Sequence, residues 1–202
     1  MQSKGYIDSG HLVNAGIGFN DFAEGLHRSL VETLCTKGRK KIKVAEGLEY
    51  ARGLFRDAHQ AGGKVIFIGN GGSAAICSHL AIDYTKNGGI RSVAFNDAAT
   101  LTCLANDYGY YSAFARQIEY YSQPKDVVVC ISSSGKSKNI LEAAAEAMTR
   151  DIKLVTFSGM APGNPLSAMG DINFYVPAGD YGLVEITHLA LLHSITSVHN
   201  LT

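Results

Sequence analysis

Short apolar runs rich in β-branched residues alternate with helical stretches, and this order limits the possible fold more than any other feature. The apolar runs lie at 64–68, 91–95, 126–131, 152–157 and 172–176. The helical stretches lie at about 73–86, 98–105, 110–121, 137–149 and 182–198. Continuous apolar strands with helical connections indicate a parallel sheet covered on both faces, with right-handed crossovers. We therefore predict a three-layer α/β/α sandwich with a five-stranded parallel sheet.

The first 61 residues have a different pattern. Residues 1–16 show no clear period and are interpreted as an N-terminal arm. From 17 to 61 apolar residues recur at helical spacing, first at Phe22, Leu26, Leu30 and Leu34 and then from Val44 to Phe55. This predicts a helical pair in front of the sandwich (62–202), all within one domain of 202 residues. The pair carries more apolar surface than one small domain face needs, so we expect a homotetramer.

Composition excludes several classes of protein. The 18 basic and 18 acidic residues cancel, which removes the electrostatic reason to expect nucleic acid or an anionic membrane as a partner. No apolar run approaches the roughly 20 residues of a membrane helix, and the N-terminus lacks the apolar core of a signal peptide. The cysteines lie far apart, which predicts reduced thiols in a cytoplasmic protein without a zinc finger. They are Cys35, Cys77, Cys103 and Cys130.

Two strand-to-helix turns, 69–74 and 132–137, lie where ligands bind in parallel sheets, beyond the carboxyl ends of the strands. The first turn fits the relaxed dinucleotide pattern G-x-G-x-x-A, and Asp97 stands near the position of the acidic residue that such a site needs. A dehydrogenase is therefore an alternative on this turn alone. The second turn ends in Gly-Lys-Ser like a P-loop, but Cys130 stands where the P-loop requires its first glycine. We predict no nucleotide cofactor.

The second turn is rich in hydroxyl groups. Four serines lie at the mouth of the helix that begins near 137, where unpaired N–H groups and a partial positive charge favour an anion. The alternative is that one serine caps the helix and the others are solvated. We favour an anion site at Ser132, Ser133, Ser134 and Ser137.

Two pairs of possible metal ligands lie on separate helices. His79 and Asp83 are four residues apart and share a helix face. Glu185 and His193 are about 80° apart around the last helix, whereas His188 should face elsewhere. Two imidazoles and two carboxylates suit a first-row metal. The alternatives are a surface pair at His79 and Asp83 and a partnered core histidine at His193.

Several motifs together resemble the SIS-domain phosphosugar isomerases, in particular the sedoheptulose 7-phosphate isomerases. They are "GNGGSAA" (69–75), "SHLAIDY" (78–84), "NDAATLTCLANDYGY" (96–110), "FARQIE" (114–119), "ISSSGKS" (131–137) and "EITHLALLH" (185–193). The resemblance implies a flavodoxin-like SIS domain and a ketose–aldose isomerase that acts through an enediol. It also implies a tetramer with sites at subunit boundaries, and in several members a zinc ion.

The resemblance also implies roles for individual residues. The serine loop would hold the sugar phosphate, and the turn with Asn70, Gly71 and Ser73 would lie beside the sugar. Asp97 matches an active-site aspartate. Asp83 stands at the carboxylate base and His193 at the histidine acid. The zinc ligands would be His79, Asp83, Glu185 and His193, and Glu185 would also contact the substrate.

The chain departs from the family pattern at several of these positions. Asp83 is one methylene shorter than the usual glutamate, and Glu185 replaces a glutamine, which adds a charge that suits a cation. Lys136 replaces an asparagine in the phosphate loop, and residues 182–184 lack the usual arginine. These changes leave open which sugar phosphate is the substrate. They also leave open a non-catalytic phosphosugar sensor or assembly protein on the same fold.

Overall fold

The computed structural model describes residues 18–196, so the predicted arm at 1–16 lies outside the described residues. The helices are α1 (Phe19–Val31), α2 (Val44–Gln60), α3 (Gly71–Lys86), α4 (Ala98–Tyr108), α5 (Ala113–Tyr121), α6 (Lys138–Thr149) and α7 (Tyr181–Thr196). The strands are β1 (Leu34–Lys37), β2 (Lys40–Ile42), β3 (Val65–Gly69), β4 (Ser92–Ala94), β5 (Val127–Ser132), β6 (Lys153–Gly159) and β7 (Ile172–Val176). Short 3₁₀ turns lie at Tyr110–Ser112 and Pro165–Ala168.

The strands form one sheet in the order β2-β1-β7-β6-β5-β3-β4. The five predicted strands, β3 to β7, are mutually parallel. Alternate side chains of β3 enter two different cores: Val65 and Phe67 pack with α2, α3 and α7, whereas Ile66 and Ile68 pack with α5 and α6. Apolar side chains on both faces are what a doubly covered sheet requires. The predicted three-layer α/β/α fold is confirmed.

The helical pair differs from the prediction, because an antiparallel hairpin separates its two helices. Leu34, which continues the helical spacing in the sequence, lies in β1, and β1 pairs with β7 to extend the sheet. Gly38 and Arg39 both have positive φ, as a tight hairpin turn requires. Gly47 lets α2 approach this strand, because a Cβ there would collide with the Cys35 sulfur. The exposed lysines Lys40 and Lys41 keep the edge strand β2 from pairing further.

Within residues 18–196, no helix combines the length and the apolar character that a membrane span requires.

Candidate functional site

The two turns singled out in the sequence meet in one pocket. β3 and β5 are neighbours, with Gly69 opposite Ile131, so the segments that follow them lie side by side. The pocket has a volume of about 240 Å³. Its walls are Asn70, Gly71, Gly72, Ser73, Ile131, Ser132, Ser133, Ser134, Ser137, Tyr181 and Glu185. Eight of the predicted substrate-binding residues therefore line one cavity at the carboxyl edge of the sheet.

Two helix N-termini open into this pocket without side-chain caps. Asn70 is the N-cap residue of α3 and Ser137 that of α6, and neither side chain bonds to the first turn of its helix. An asparagine or serine at this position normally satisfies one of the free N–H groups. Here the N–H groups and the partial positive charge of both helix ends face the same cavity. The arrangement suits an anion such as a phosphate group.

The serine loop contains one buried hydroxyl that is not satisfied. Ser133 is 5% exposed and lines the pocket, yet its Oγ has no hydrogen-bond partner among residues 18–196. The other serines have partners, since Ser132 Oγ lies 3.4 Å from Ser137 Oγ and Ser134 Oγ accepts from the Lys136 N–H at 3.2 Å. A buried hydroxyl without a partner costs stability. The Oγ atom is itself shielded from solvent, so a bound anion would satisfy it only after the side chain rotates toward the pocket.

Asn164 supports the serine loop from behind. Gly135 has a φ of +62°, and a Cβ at this position would collide with the Asn164 side chain. Asn164 is itself held, because its Nδ2 donates to the carbonyl oxygens of Gly159 and Ala161, both at 3.2 Å. On the other side the Leu166 N–H donates to the Gly135 carbonyl. The loop therefore needs glycine at 135.

Replacing Gly135 with alanine is expected to lower the free energy of unfolding by about 2–5 kcal/mol. About 1–2 kcal/mol is the cost of a left-handed conformation for a residue with a Cβ, and about 1–3 kcal/mol is the cost of displacing the Asn164 side chain. Chemical denaturation would measure this. The matched control is Gly53→Ala, in the interior of α2, where a Cβ meets nothing within 4 Å. That change should stabilise the protein by about 0.5–1 kcal/mol. Equal effects of the two substitutions on the free energy of unfolding would show that the loop does not need glycine at 135.

Two residues that sequence analysis missed hold Asn70 in place. The side-chain amides of Asn70 and Asn139 bond to each other twice, both times at 2.9 Å. The Tyr110 hydroxyl donates to Asn70 Oδ1 at 2.8 Å. Asn139 lies two residues after the last serine, and Tyr110 ends the motif "NDAATLTCLANDYGY". These positions, in or next to motifs that resemble the family, are the only sign of this role in the sequence.

Asp97 caps a neighbouring helix. Its carboxylate accepts from the Thr100 N–H and the Thr100 hydroxyl, both at 2.8 Å, at the N-terminus of α4. These bonds lower the pKa of Asp97. Asp97 is exposed and is not among the residues that line the pocket. Its predicted role beside the substrate stays a prediction.

His79, Asp83 and His193 lie together between α3 and α7. The Nε2 atoms of His79 and His193 are 3.1 Å apart, and His193 Nδ1 is 3.4 Å from Asp83 Oδ2. Asp83 also accepts from Asn87 Nδ2 at 2.5 Å. The structure thus joins the predicted base to the predicted acid. His188 faces elsewhere as predicted, since it is fully buried with Nε2 3.1 Å from the Ser158 carbonyl, and burial lowers its pKa to about 4.

Glu185 lies on the pocket wall beside the N-terminus of α3, away from the cluster of His79, Asp83 and His193. Its carboxylate packs against Gly72, where any Cβ would collide with it. Burial, and next the charge of Asp180, raises the pKa of Glu185. His79 follows Gly72 by seven residues on α3, so Glu185 beside Gly72 and the histidine cluster are about 10 Å apart along the helix. The negative charges of the Glu185 carboxylate and of a bound phosphate would repel each other in one pocket. Phosphate binding there is therefore favoured when a cation binds as well or when Glu185 is protonated.

The predicted metal ligands fit zinc only in part. Two nitrogens bound to one tetrahedral zinc ion lie roughly 3.3 Å apart, close to the 3.1 Å between the two histidine Nε2 atoms. Yet within residues 18–196 no group of three or more His, Cys, Asp or Glu side chains is placed to hold a metal ion. The four predicted ligands therefore do not form a complete site within the described part of one chain.

Comparison with known proteins gives the family. Residues 31–159 match the SIS domain. The phosphoheptose isomerase of Thiobacillus denitrificans is 33% identical in an alignment 182 residues long, and the match covers 84% of this chain and 92% of that protein. The structure of the phosphoheptose isomerase from Neisseria gonorrhoeae is 30% identical, with a TM-score of 0.76, and the match covers 88% of this chain and 94% of that one. The enzyme from Francisella tularensis is 25% identical, with a TM-score of 0.74 over 88% and 93% of the chains. The chain therefore belongs to the phosphoheptose isomerase family of SIS-domain enzymes.

Proposed function

We propose that the protein interconverts the ketose and aldose forms of a phosphosugar through an enediol. Its substrate would be a ketose phosphate of the sedoheptulose 7-phosphate type. The observation that carries this proposal is the pocket in which two uncapped helix ends and the unsatisfied Ser133 hydroxyl converge. Hydroxyl and amide donors at helix ends hold a phosphate group without any net positive charge. The phosphoheptose isomerases among the relatives support the sugar part of the proposal.

In this proposal Asp83 is the base and His193 the acid. Isomerisation needs a base near the acidic C–H and an acid near the carbonyl oxygen, so that the proton moves between C1 and C2. The 3.4 Å contact between Asp83 Oδ2 and His193 Nδ1 supports the pairing, because the carboxylate orients the ring. Asp83 would take the proton from carbon, and the imidazole would give one to oxygen from Nε2, which requires that this nitrogen does not bind zinc at that step.

The spacing between pocket and acid–base pair favours a long sugar. A ketose 7-phosphate carries its phosphate at C7 and reacts at C1 and C2, which are opposite ends of the molecule. Such a substrate needs a phosphate grip and a base that are well separated. Gly72 on the pocket wall and Asp83 lie eleven residues apart on α3, about 16 Å along the helix. A site that lies at a subunit boundary, as the resemblance implies, would bring the two regions to one substrate.

The test is solvent isotope exchange. In deuterated water, wild-type protein with zinc is expected to convert sedoheptulose 7-phosphate to its aldose isomer and to introduce deuterium at C1 or C2, which NMR detects. Five- and six-carbon ketose phosphates serve as matched comparisons for chain length. No exchange with any ketose phosphate of five to seven carbons would rule out the isomerase.

A zinc ion, one per subunit, is part of the proposal. His79 and His193 would supply nitrogen ligands and Asp83 would supply an oxygen ligand. Glu185, about 10 Å from His79 along α3, lies too far away to bind the same ion within one chain. When bound, zinc would act as a Lewis acid on the substrate carbonyl. The 3.1 Å approach of the two Nε2 atoms supports the nitrogen pair.

We expect zinc binding to be lost more than about 10-fold in His79→Ala, because a direct ligand contributes at least as much as its supporting partners. Calorimetric zinc titration of the metal-free protein measures this without turnover. The control is His27→Ala, an exposed histidine on α1. Equal zinc affinity in wild type and His79→Ala would remove His79 from the ligand set.

A homotetramer in the cytoplasm completes the proposal. On α1, Phe19 is 84% exposed and Val31 66% exposed, which supports an oligomeric contact through the segment 17–61. All four cysteines are free thiols, which is consistent with a reducing compartment. Light scattering is expected to give four times the mass of one chain, and a monomeric mass would contradict the tetramer.

The second candidate function is a phosphosugar sensor or assembly protein without turnover. It is favoured by Asp83, whose shorter side chain bonds to Asn87 as well as lying near His193. Displacing a reacting group by about 1 Å can cost on the order of 100-fold in rate. A thermal shift with sugar phosphates in the absence of isotope exchange would select this function.

A further inference from the structure

The amide of Asn70 has almost all of its hydrogen-bonding capacity occupied inside the protein. An asparagine side chain can accept two hydrogen bonds at oxygen and donate two at nitrogen. Asn139 Nδ2 and the Tyr110 hydroxyl occupy both acceptor positions of Asn70 Oδ1, at 2.9 Å and 2.8 Å. Asn139 Oδ1 takes one of the two Nδ2 hydrogens at 2.9 Å. One N–H group of Asn70 remains.

Asn70 stands at the N-cap of α3 but does not cap it. Its side chain is turned instead toward Asn139 at the start of α6 and Tyr110 after α4, so three separate segments fix its orientation. Asn139 is 5% exposed, and both its Oδ1 and its Nδ2 bond to Asn70. Asn70 lines the pocket, and the remaining N–H group is the part of its amide that no residue of 18–196 occupies.

We propose that Tyr110 and Asn139 are positioning residues that make Asn70 a hydrogen-bond donor, and never an acceptor, toward the bound sugar. Rotating the Asn70 amide by 180° would break both bonds to Asn139, because N–H would then face N–H and oxygen would face oxygen, so the orientation is fixed before the ligand arrives. The group that it recognises is an oxygen of the sugar, a carbonyl or a hydroxyl that accepts. This inference rests on the proposed function, since it names one contact of the same site.

The decisive change is Tyr110→Phe, which removes the hydroxyl donor and keeps the ring. Tyr110 is 52% exposed, so the variant should fold. We expect the affinity for sedoheptulose 7-phosphate, measured by calorimetry, to fall about 3- to 10-fold, the usual effect of one hydrogen bond. The affinity for inorganic phosphate, which the serine loop would hold, should not change. The matched control is Tyr111→Phe, 49% exposed, whose ring keeps its contact with Lys138.

A double-mutant cycle shows whether Tyr110 acts through Asn70. In the Asn70→Ala background, Tyr110→Phe is expected to have no further effect on sugar phosphate affinity. Additive losses would overturn the inference, and so would equal losses for inorganic phosphate or equal effects of Tyr110→Phe and Tyr111→Phe.

The same measurements separate this inference from the proposed function. Wild-type protein that binds the sugar phosphate with the expected coupling, but shows no isotope exchange, would overturn the isomerase alone. Turnover together with additive losses would overturn the positioning role alone. A wild type that binds neither ligand would overturn both.

Discussion

Replacing His193 with alanine is expected to lower the kcat of ketose–aldose isomerisation by about 100- to 10,000-fold, the range that general acid–base groups contribute. Asp83→Asn should cause a loss of similar size, because an amide cannot take a proton from carbon. Both changes leave the serine loop intact, so the affinity for inorganic phosphate should stay within about twofold of the wild type.

Two control variants sharpen this test. Asp83→Glu keeps the carboxylate and restores the length usual in the family, so it should retain turnover where Asp83→Asn does not. His27→Ala removes an exposed histidine on α1 and should leave kcat unchanged. If His193→Ala turned over as fast as His27→Ala, the acid would have to be another group.

The sandwich could be predicted because its signals are local. Each of the five parallel strands is a short apolar run, and β5 at Val127–Ser132 begins one residue from its predicted position. The hairpin could not be predicted in this way. Leu34 keeps the helical spacing of α1, and the strand that pairs with it, β7, lies more than 130 residues further along the chain. In the sequence the turn is marked only by Gly38, because Arg39 takes a positive φ although it has a Cβ.

Part of the candidate site could likewise be predicted from local signals, and part could not. The two turns could be placed together because parallel strands end at one edge, and the structure brings Asn70 and the serine loop into one pocket. The contacts of Asn70 with Tyr110 and Asn139 join residues 40 and 69 positions apart, through side chains whose directions depend on the finished packing. Periodicity carries no information about such contacts.

Replacing Ser133 with alanine is expected to have opposite effects on stability and on ligand binding. In the free protein the Ser133 hydroxyl is buried without a partner among residues 18–196, so its removal should raise the free energy of unfolding by up to about 1 kcal/mol. In the complex the same hydroxyl would donate to a charged phosphate oxygen. Its loss should therefore weaken phosphate affinity by about 10- to 100-fold, since a hydrogen bond to a charged group contributes about 1.5–3 kcal/mol.

Ser29→Ala is the matched control, because Ser29 is equally buried but its hydroxyl donates to the Gly25 carbonyl at 2.8 Å. That change should lower stability slightly and leave phosphate affinity unchanged. Denaturation and phosphate calorimetry on both variants separate the two roles of a buried serine. If the Ser133 hydroxyl serves the ligand, its removal should raise the stability of the free protein and weaken phosphate affinity. If it only fills the core, its removal should lower stability and leave phosphate affinity unchanged. Loss of stability in Ser133→Ala with unchanged phosphate affinity would therefore move the phosphate site away from this loop.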